Sequence, residues 1–383
     1  MNYILTGEVV SDGHPDKVAD QISDAVLDLY LTHDKNAKVA CEVFVQKGIV
    51  FVGGEVTSKV KKLDIEPTIR KVINDIGYNH SRFGFNGNSV GIINNIVKQS
   101  PEIHSAVTRD GKTSAGDQGV MYGYATNDTI QYINLHHYLA RLYIQAIRND
   151  IVGFKGFRPD VKSQVSVIYN QMGEPIEIDN VVVSASHEPE HDLDLVREKI
   201  SETVNTVNKY ILDDKTKSLL TKNTKYIFNH AGTFVNCGPA ADTGLTGRKI
   251  VVDQLNSIVG GGAFSGKCPS KVDRSAAYFA RFIAKNIVHH GLAKKVLIEV
   301  AYVIGKDEPV ALNIVSNDES SLFSEKLKSK IKQEYSFSVS NIIEKLDLLK
   351  PIYLNTAKYG HYGYNEYSWE KIDKLFLEKT IYS

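Results

Sequence analysis

The chain has 383 residues, enough for two or three domains at about 150 residues each. Its 45 basic and 45 acidic residues leave no formal net charge, and no run of like charge marks a nucleic-acid or membrane surface, so any anion site has to be local. No apolar run approaches the length of a membrane span and no basic-then-apolar leader opens the chain. The three cysteines, Cys41, Cys237 and Cys268, form no C-x-x-C pair, so the reading is cytoplasmic, without a zinc site or disulfide framework.

In chain order, DKVADQISDAVLDLYL carries Val18, Ile22, Val26 and Leu29 on one helical face, with Asp16, Asp20, Asp24 and Asp28 recurring beside it, which predicts an amphipathic helix. KVACEVFV and IVFVGGEV, joined through Gln46-Lys47-Gly48, read as a β-hairpin, and a helix is predicted over residues 65 to 76. From Gln99 to Gly119 the sequence is polar and aperiodic, as in a lid or linker. A helix at 136 to 149, strands at SQVSVIYN and IEIDNVVVSA, and a helix at 191 to 212 form a second α/β stretch. In the third, GRKIVVD reads as a strand, SKVDRSAAYFARFIAKNIVHHGL as a helix with Val272, Ala276, Phe279, Ile283 and Ile287 on one face, and KKVLIEVAYVIG as a strand. The aromatic tail YGHYGYNEYSWEK reads as a packed cluster.

Several turns combine cations with carboxylates. In GHPDK, Pro15 suits the first helical position, so His14 becomes the N-cap and Asp16 and Lys17 enter the first turn, where free N–H groups favour an anion. In GKCPSKVDRS, Lys267, Lys271 and Arg274 crowd a helix start, where the macrodipole disfavours each cation by roughly 0.3–1 kcal/mol. A polyphosphate would relieve that repulsion, with Asp273 available for a bridging metal. The same cations are expected to favour a reactive thiolate at Cys268. TGLTGRK adds Arg248 and Lys249, and RPDVKSQV adds Asp160 and Lys162 at a strand start. Gly261 to Lys267 also has the G-x-x-x-x-G-K spacing of a P-loop, but Cys268 stands where a P-loop places Ser or Thr on Mg²⁺.

Taken in order, GHPDKVADQISDAVLD, ACEVFV, GGEV, KQSPEI, SAGDQGVMYGYA, RPDVKSQV, GPAADTGLTGRKIVVD and GGGAFSGKCPSKVDRSAAYFAR resemble the S-adenosylmethionine synthetase family nearly end to end. The resemblance implies joining of the methionine sulfur to C5′ of ATP with loss of triphosphate, which is then hydrolysed to pyrophosphate and phosphate. It implies an α+β fold of three related β-α-β-β-α-β units about a pseudo-threefold axis, with mixed sheets, helices on one face and some exchanged strands. The units are expected at residues 1–100, 120–231 and 232–383, with a gating loop at 99–119.

By the same resemblance, His14 lies against the leaving triphosphate, Lys162, Arg248, Lys249 and Lys267 neutralise phosphates, and Lys271 lies at the phosphate and methionine end. Asp160, Thr233, Phe234, Asp242 and Ala263 join the ATP site, with Phe234 stacking on adenine. Glu55, Gln99, Asp117 and Asp242 line the methionine pocket. Asp16 and Asp273 hold Mg²⁺, two ions per site, and Glu42 holds K⁺. The implied assembly is a homodimer with shared active sites, or a dimer of such dimers, acting on ATP and L-methionine without nucleic acid or membrane. The chain departs from the family's usual residues at Cys268, at Thr233 and in the QLNS stretch after KIVVD. Two other readings are a P-loop NTPase, which requires KIVVD to run as a strand into the glycine loop, and an inactive nucleotide-binding regulatory homologue.

Overall fold

The computed structural model describes residues 1–60, 63–99, 108–109, 112–255, 260–316 and 321–374. Strand β1 (Tyr3–Val10) leads into a turn that ends at His14, whose extended backbone caps helix α1 (Pro15–His33). Pro15 fills the start of the helix, where a missing N–H costs nothing, as the sequence predicts. Strands β2 (Lys38–Gln46) and β3 (Ile49–Thr57) form the expected hairpin, closed by Lys47 and Gly48, the latter at φ +73°. Helix α2 (Glu66–Ile76) then carries the chain over so that β4 (Gly91–Lys98) runs parallel to β3, a pairing that demands a crossover.

After the two-residue strands β5 (Thr108–Arg109) and β6 (Lys112–Thr113), the same order returns. It runs β7 (Gly119–Thr126), helix α3 (Leu135–Arg148), the antiparallel pair β8 (Phe157–Tyr169) and β9 (Pro175–His187), helix α4 (Leu193–Thr206), and β10 (Lys225–Phe228) parallel to β9. A third pass runs β11 (Gly244–Leu245), helix α5 (Val272–His289), the antiparallel pair β12 (Lys295–Tyr302) and β13 (Ala311–Ser316), and helix α6 (Ser321–Glu334). In each pass the first strand joins another pass's sheet: β1 pairs with β8, β7 with β12 and β11 with β2, all antiparallel. The resulting sheets are β1-β8-β9-β10, β11-β2-β3-β4 and β13-β12-β7. The fold is therefore α+β, the first two of these sheets mixed and the third antiparallel.

One hydrophobic core joins α1, β2, β3 and α2 to α5 and β12, while β8, β9, α3 and α4 enclose a second. The aromatic tail packs as expected, with Trp369 stacked 3.9 Å from Tyr278 and 4.8 Å from Tyr367, between ring centroids. Among the described residues, no helix is long and apolar enough to cross a membrane.

Two expectations need correction, and two helices bury more than their apolar faces. Residues Ile250–Asp253 form one helical turn and not a strand. A strand would point Val252 and Asp253 to opposite faces, whereas the turn buries both and brings Asp253 to Lys17. Helix α4 ends at Thr206 and passes into a π-helical turn at Val207–Ile211, short of residue 212. The polar side of α1 is not solvated, because Asp16, Lys17, Asp20 and Asp24 are all at most 1% exposed. The burial of α5 extends well beyond its apolar face to Arg274, Arg281 and Lys285, which are neutralised by Asp24 and Glu370. Of the expected gating segment, residues 100–107 and 110–111 lie outside the described residues, as do Asn256 and Ser257 of QLNS.

Candidate active site

The turn from Ser11 to His14 is bolted to the start of β8. The Ser11 hydroxyl donates to Pro159 O at 2.7 Å and accepts the Val161 N–H at 2.8 Å, and Tyr78 donates to Gly13 O at 2.6 Å. A Cβ on Gly13 would fall 2.4 Å from Pro159, so only glycine allows this approach. The packing sets Gly13 against Pro159, the residue before Asp160, and brings His14, at the head of α1, into the field of Lys162 on β8.

His14 Nδ1 accepts the Asp16 N–H at 3.2 Å. Burial, reinforced by the charges of Lys249 and Lys162, pulls the His14 pKa down to about 3. The ring is therefore neutral, and with Nδ1 accepting, its proton sits on Nε2. Asp16 is contacted by Lys249 Nζ at 2.5 Å, Arg248 Nε at 3.6 Å and the Leu245 N–H at 3.0 Å. Burial pushes its carboxyl up, but these hydrogen bonds and charges hold it below the ordinary carboxylate value.

Asp160 is buried; its Oδ2 accepts the Gly238 N–H at 2.9 Å, and its Oδ1 has no hydrogen-bond partner among the described residues. Burial raises its pKa to about 6, against the pull of Gly238 and Lys162. Lys162 is exposed on β8, as is Asp242 on the loop before β11, and Thr233 is exposed beside half-buried Phe234. The Phe234 N–H donates to His187 Nε2 at 3.1 Å, which fixes the backbone under the ring.

The glycine-rich stretch from Gly260 is not a P-loop. It is entered from the helical turn at 250–253, and α5 begins only at Val272, with Lys271 as N-cap. Gln254 braces the loop by accepting from Gly261 N at 2.8 Å and donating to Gly262 O at 2.9 Å. Lys267 Nζ meets Asp273 Oδ2 at 2.6 Å, and a Cβ on Gly262 would fall 2.3 Å from Asp273 Oδ1. Lys271 Nζ reaches Gly116 O at 3.5 Å, one residue from exposed Asp117. Half-buried Ala263 faces Gly247, where an added Cβ would come within 2.6 Å of its own Cβ, so the Arg248–Lys249 loop and the Lys267 loop abut.

Two sequence expectations change here. The crowded cations at 267–274 are largely answered from within, since Arg274 is fully buried in a bidentate pair with Asp24 at 2.7 and 2.8 Å. Cys268 is 1% exposed with its sulfur 3.3 Å from Ser270 Oγ, so the expected reactive thiol is shielded.

Glu42, Glu55 and Gln99 lie apart from this cluster, on or just after the β11-β2-β3-β4 sheet. Glu42 is exposed, Glu55 is half-buried and Gln99 accepts from Thr57 Oγ1 at 3.4 Å. No described hydrogen bond or ion pair joins them to His14, Asp16 or the two cationic loops. Among the described residues no group of three or more His, Cys, Asp or Glu converges on a metal position. Asp16, buried beneath Lys249 and Arg248, and Asp273, paired with Lys267, are instead single carboxylates among cations, oxygen donors that would suit a hard cation such as Mg²⁺.

Sequence reading missed the residues that hold this cluster in place: Lys17, Asp20, Asp24, Asp253 and Gln254. The fourfold spacing of the aspartates was the available signal, and it was read only as part of an amphipathic helix.

The family models for the S-adenosylmethionine synthetase N-terminal, central and C-terminal domains match residues 2–101, 112–234 and 236–371. The chain is 43% identical over 387 residues to the S-adenosylmethionine synthase of Borreliella afzelii, covering 99% of this chain and 97% of that protein. It is 44% identical over 401 residues to that of Pseudothermotoga lettingae, covering 98% of each. To the synthase of Corynebacterium urealyticum it is 41% identical over 399 residues, covering 99% and 98%. With all three domains matched in order and relatives aligned over nearly their whole length, the chain belongs to the S-adenosylmethionine synthetase family, the methionine adenosyltransferases.

Proposed function

We propose that the protein transfers the adenosyl group of ATP to L-methionine. A methionine sulfur lone pair forms the S–C5′ bond, the C5′–O bond breaks, and triphosphate leaves with the electron pair; water then cleaves the triphosphate to pyrophosphate and phosphate. The observation that carries this reading is the meeting of His14, Asp16, Lys162, Arg248 and Lys249 with the adjoining Lys267–Asp273 loop. A thioether has no proton to lose, so the site needs alignment and leaving-group stabilisation more than a base.

Neutral His14 suits this task because its Nε2–H can donate to the leaving oxygen without repelling neighbouring lysines. Lys162, Arg248, Lys249 and Lys267 take the phosphates, Phe234 and Asp160 the adenine end, and Lys271 the join to methionine. Asp16 and Asp273 would each hold Mg²⁺, which supplies charge neutralisation on the phosphates. Glu42 would hold K⁺. Glu55, Gln99, Asp117 and Asp242 would receive methionine, with Asp117 on the substrate ammonium. Segment 99–119 would close over the site.

Glu42 and Glu55 share the open face of their sheet with exposed Phe51, Ile93 and Val97. That combination supports a homodimer in which this face meets its copy and each site draws on both chains, with further pairing of dimers possible on the same plan. The cyclic strand exchange supports a pseudo-threefold arrangement of units near 1–100, 120–231 and 232–383. Incubation with ATP, methionine, Mg²⁺ and K⁺, followed by mass detection of the sulfonium, tests the activity. Absence of product from folded protein overturns it.

A further inference from the structure

Two of the buried aspartates of α1 do the same thing at different loops. Asp20 Oδ1 accepts the Gly247 N–H at 2.8 Å, and one helical turn later Asp24 Oδ1 accepts the Gly266 N–H at 2.8 Å. Each glycine is left-handed, at φ +79° and +78°, and each immediately precedes a phosphate-facing cation, Arg248 and Lys267 respectively. Neither tolerates a side chain: a Cβ would lie 2.6 Å from Ala263 Cβ at Gly247 and 1.8 Å from Cys41 O at Gly266. Asp16, one turn earlier, takes the Leu245 N–H.

The first loop is also held from behind. Lys17 Nζ lies 3.0 Å from Asp20 and 2.7 Å from Asp253, so both ends of the segment bearing Arg248 and Lys249 return to the same turn of α1. The second loop is held by Arg274, which pairs with Asp24 while donating to Phe264 O at 3.0 Å and Lys267 O at 3.1 Å. None of Lys17, Asp20, Asp24 and Arg274 is more than 0% exposed, so these contacts are unscreened by water.

We propose that Asp20 and Asp24 are positioning residues that set, from one face of α1, the backbone on which Arg248, Lys249 and Lys267 stand. They touch no substrate atom and act through the glycine N–H groups. The inference rests on the phosphate reading of those cations given above. Asp20 is the better residue to test, because Lys17 keeps Asp253 when Asp20 is lost, whereas losing Asp24 strands a buried arginine.

The experiment measures kcat, KM for ATP and for methionine, and the melting temperature in the full chain. Asp20→Ala is expected to lower kcat/KM for ATP on the order of 10- to 100-fold through misplaced cations, leaving KM for methionine nearly unchanged. Asp20→Asn keeps an oxygen for Gly247 and is expected to recover most of the loss. In an Arg248→Ala/Lys249→Ala background, Asp20→Ala should cost at most about twofold more while lowering the melting temperature as much as before. Should Asp20→Ala not fold, Asp20→Ser, one bond too short to reach Gly247, takes its place. A full multiplicative loss in that background, or Asn no better than Ala, overturns the inference alone. An unimpaired Arg248→Ala/Lys249→Ala enzyme overturns the phosphate reading, and the inference with it.

Discussion

Replacing His14 separates two tasks of one ring, the helix cap seen in the structure and the leaving-group role proposed for it. Nδ1 caps α1 through the Asp16 N–H at 3.2 Å, while Nε2–H remains for the leaving oxygen. Asparagine is among the best N-caps, so His14→Asn should keep the first task and lose the second, whereas His14→Ala loses both. Loss of the cap costs about 1 kcal/mol, worth about 1–3 °C of melting temperature in a chain of this size. Loss of one preorganised donor to a developing oxyanion costs about 2.7–4 kcal/mol, or roughly 10²–10³ in kcat. Both variants should therefore be equally slow in forming the sulfonium at saturating ATP and methionine, and only His14→Ala should melt early. The assay is mass detection of product over time beside a thermal melt. An Asn variant turning over within about threefold of the parent would refute the leaving-group role, since that change is too small for a lost transition-state donor.

Buried His136 has its pKa pulled down to about 4, by burial first. The unfolded chain takes up that proton below about 6.5 and the folded chain does not, so stability falls as pH drops from about 6.5 towards 4, by about 2 kcal/mol at pH 5. His136→Gln should make the loss of melting temperature between pH 7 and pH 5 smaller by that share, and an unchanged pH profile would count against a buried neutral ring. Phe51→Glu with Val97→Glu should place charge on the open sheet face, giving monomers by sedimentation and little activity; an active dimer would move the interface elsewhere. Asp273→Asn should raise the Mg²⁺ concentration needed for half-maximal rate by roughly tenfold or more, and Glu42→Gln should abolish stimulation by K⁺. Retained responses in titrations of each ion would remove these carboxylates from the metal sites.

Much of the fold was legible because hydrophobic periodicity reports local structure directly. The β2–β3 hairpin, α1, α3, α5, the two long strands of the middle unit and β12 all follow from apolar spacing. Failures arose where a distant partner outweighed local preference. KIVVD is β-branched and reads as a strand, yet folds as a turn because Asp253 is drawn to Lys17, 236 residues away in sequence. Cys268 sits between lysines in the sequence but inside the core in space, where its backbone N–H meets Val39 O at 3.0 Å. Arg274 was counted with the cations awaiting a polyphosphate because nothing near it in sequence announces Asp24 as its partner.

The aspartates of α1 show why a site can be visible in sequence while its support is not. Spacing of four puts like charges on one helical face, and each such pair disfavours the isolated helix by about 0.2–0.5 kcal/mol. On a solvated face that small cost is easily borne, so the spacing alone does not announce burial. In the folded chain Asp16, Asp20 and Asp24 are dehydrated, a cost of several kcal/mol per ion that only close partners can offset. Those partners are the N–H groups of Leu245, Gly247 and Gly266 and the charges of Lys17, Lys249 and Arg274. All but Lys17 lie more than 220 residues downstream. Local helical preference and burial energy thus both oppose this arrangement until the third unit docks on the first. A helix that violates local rules in this way ties the placement of both cationic loops to the docking of the third unit on the first.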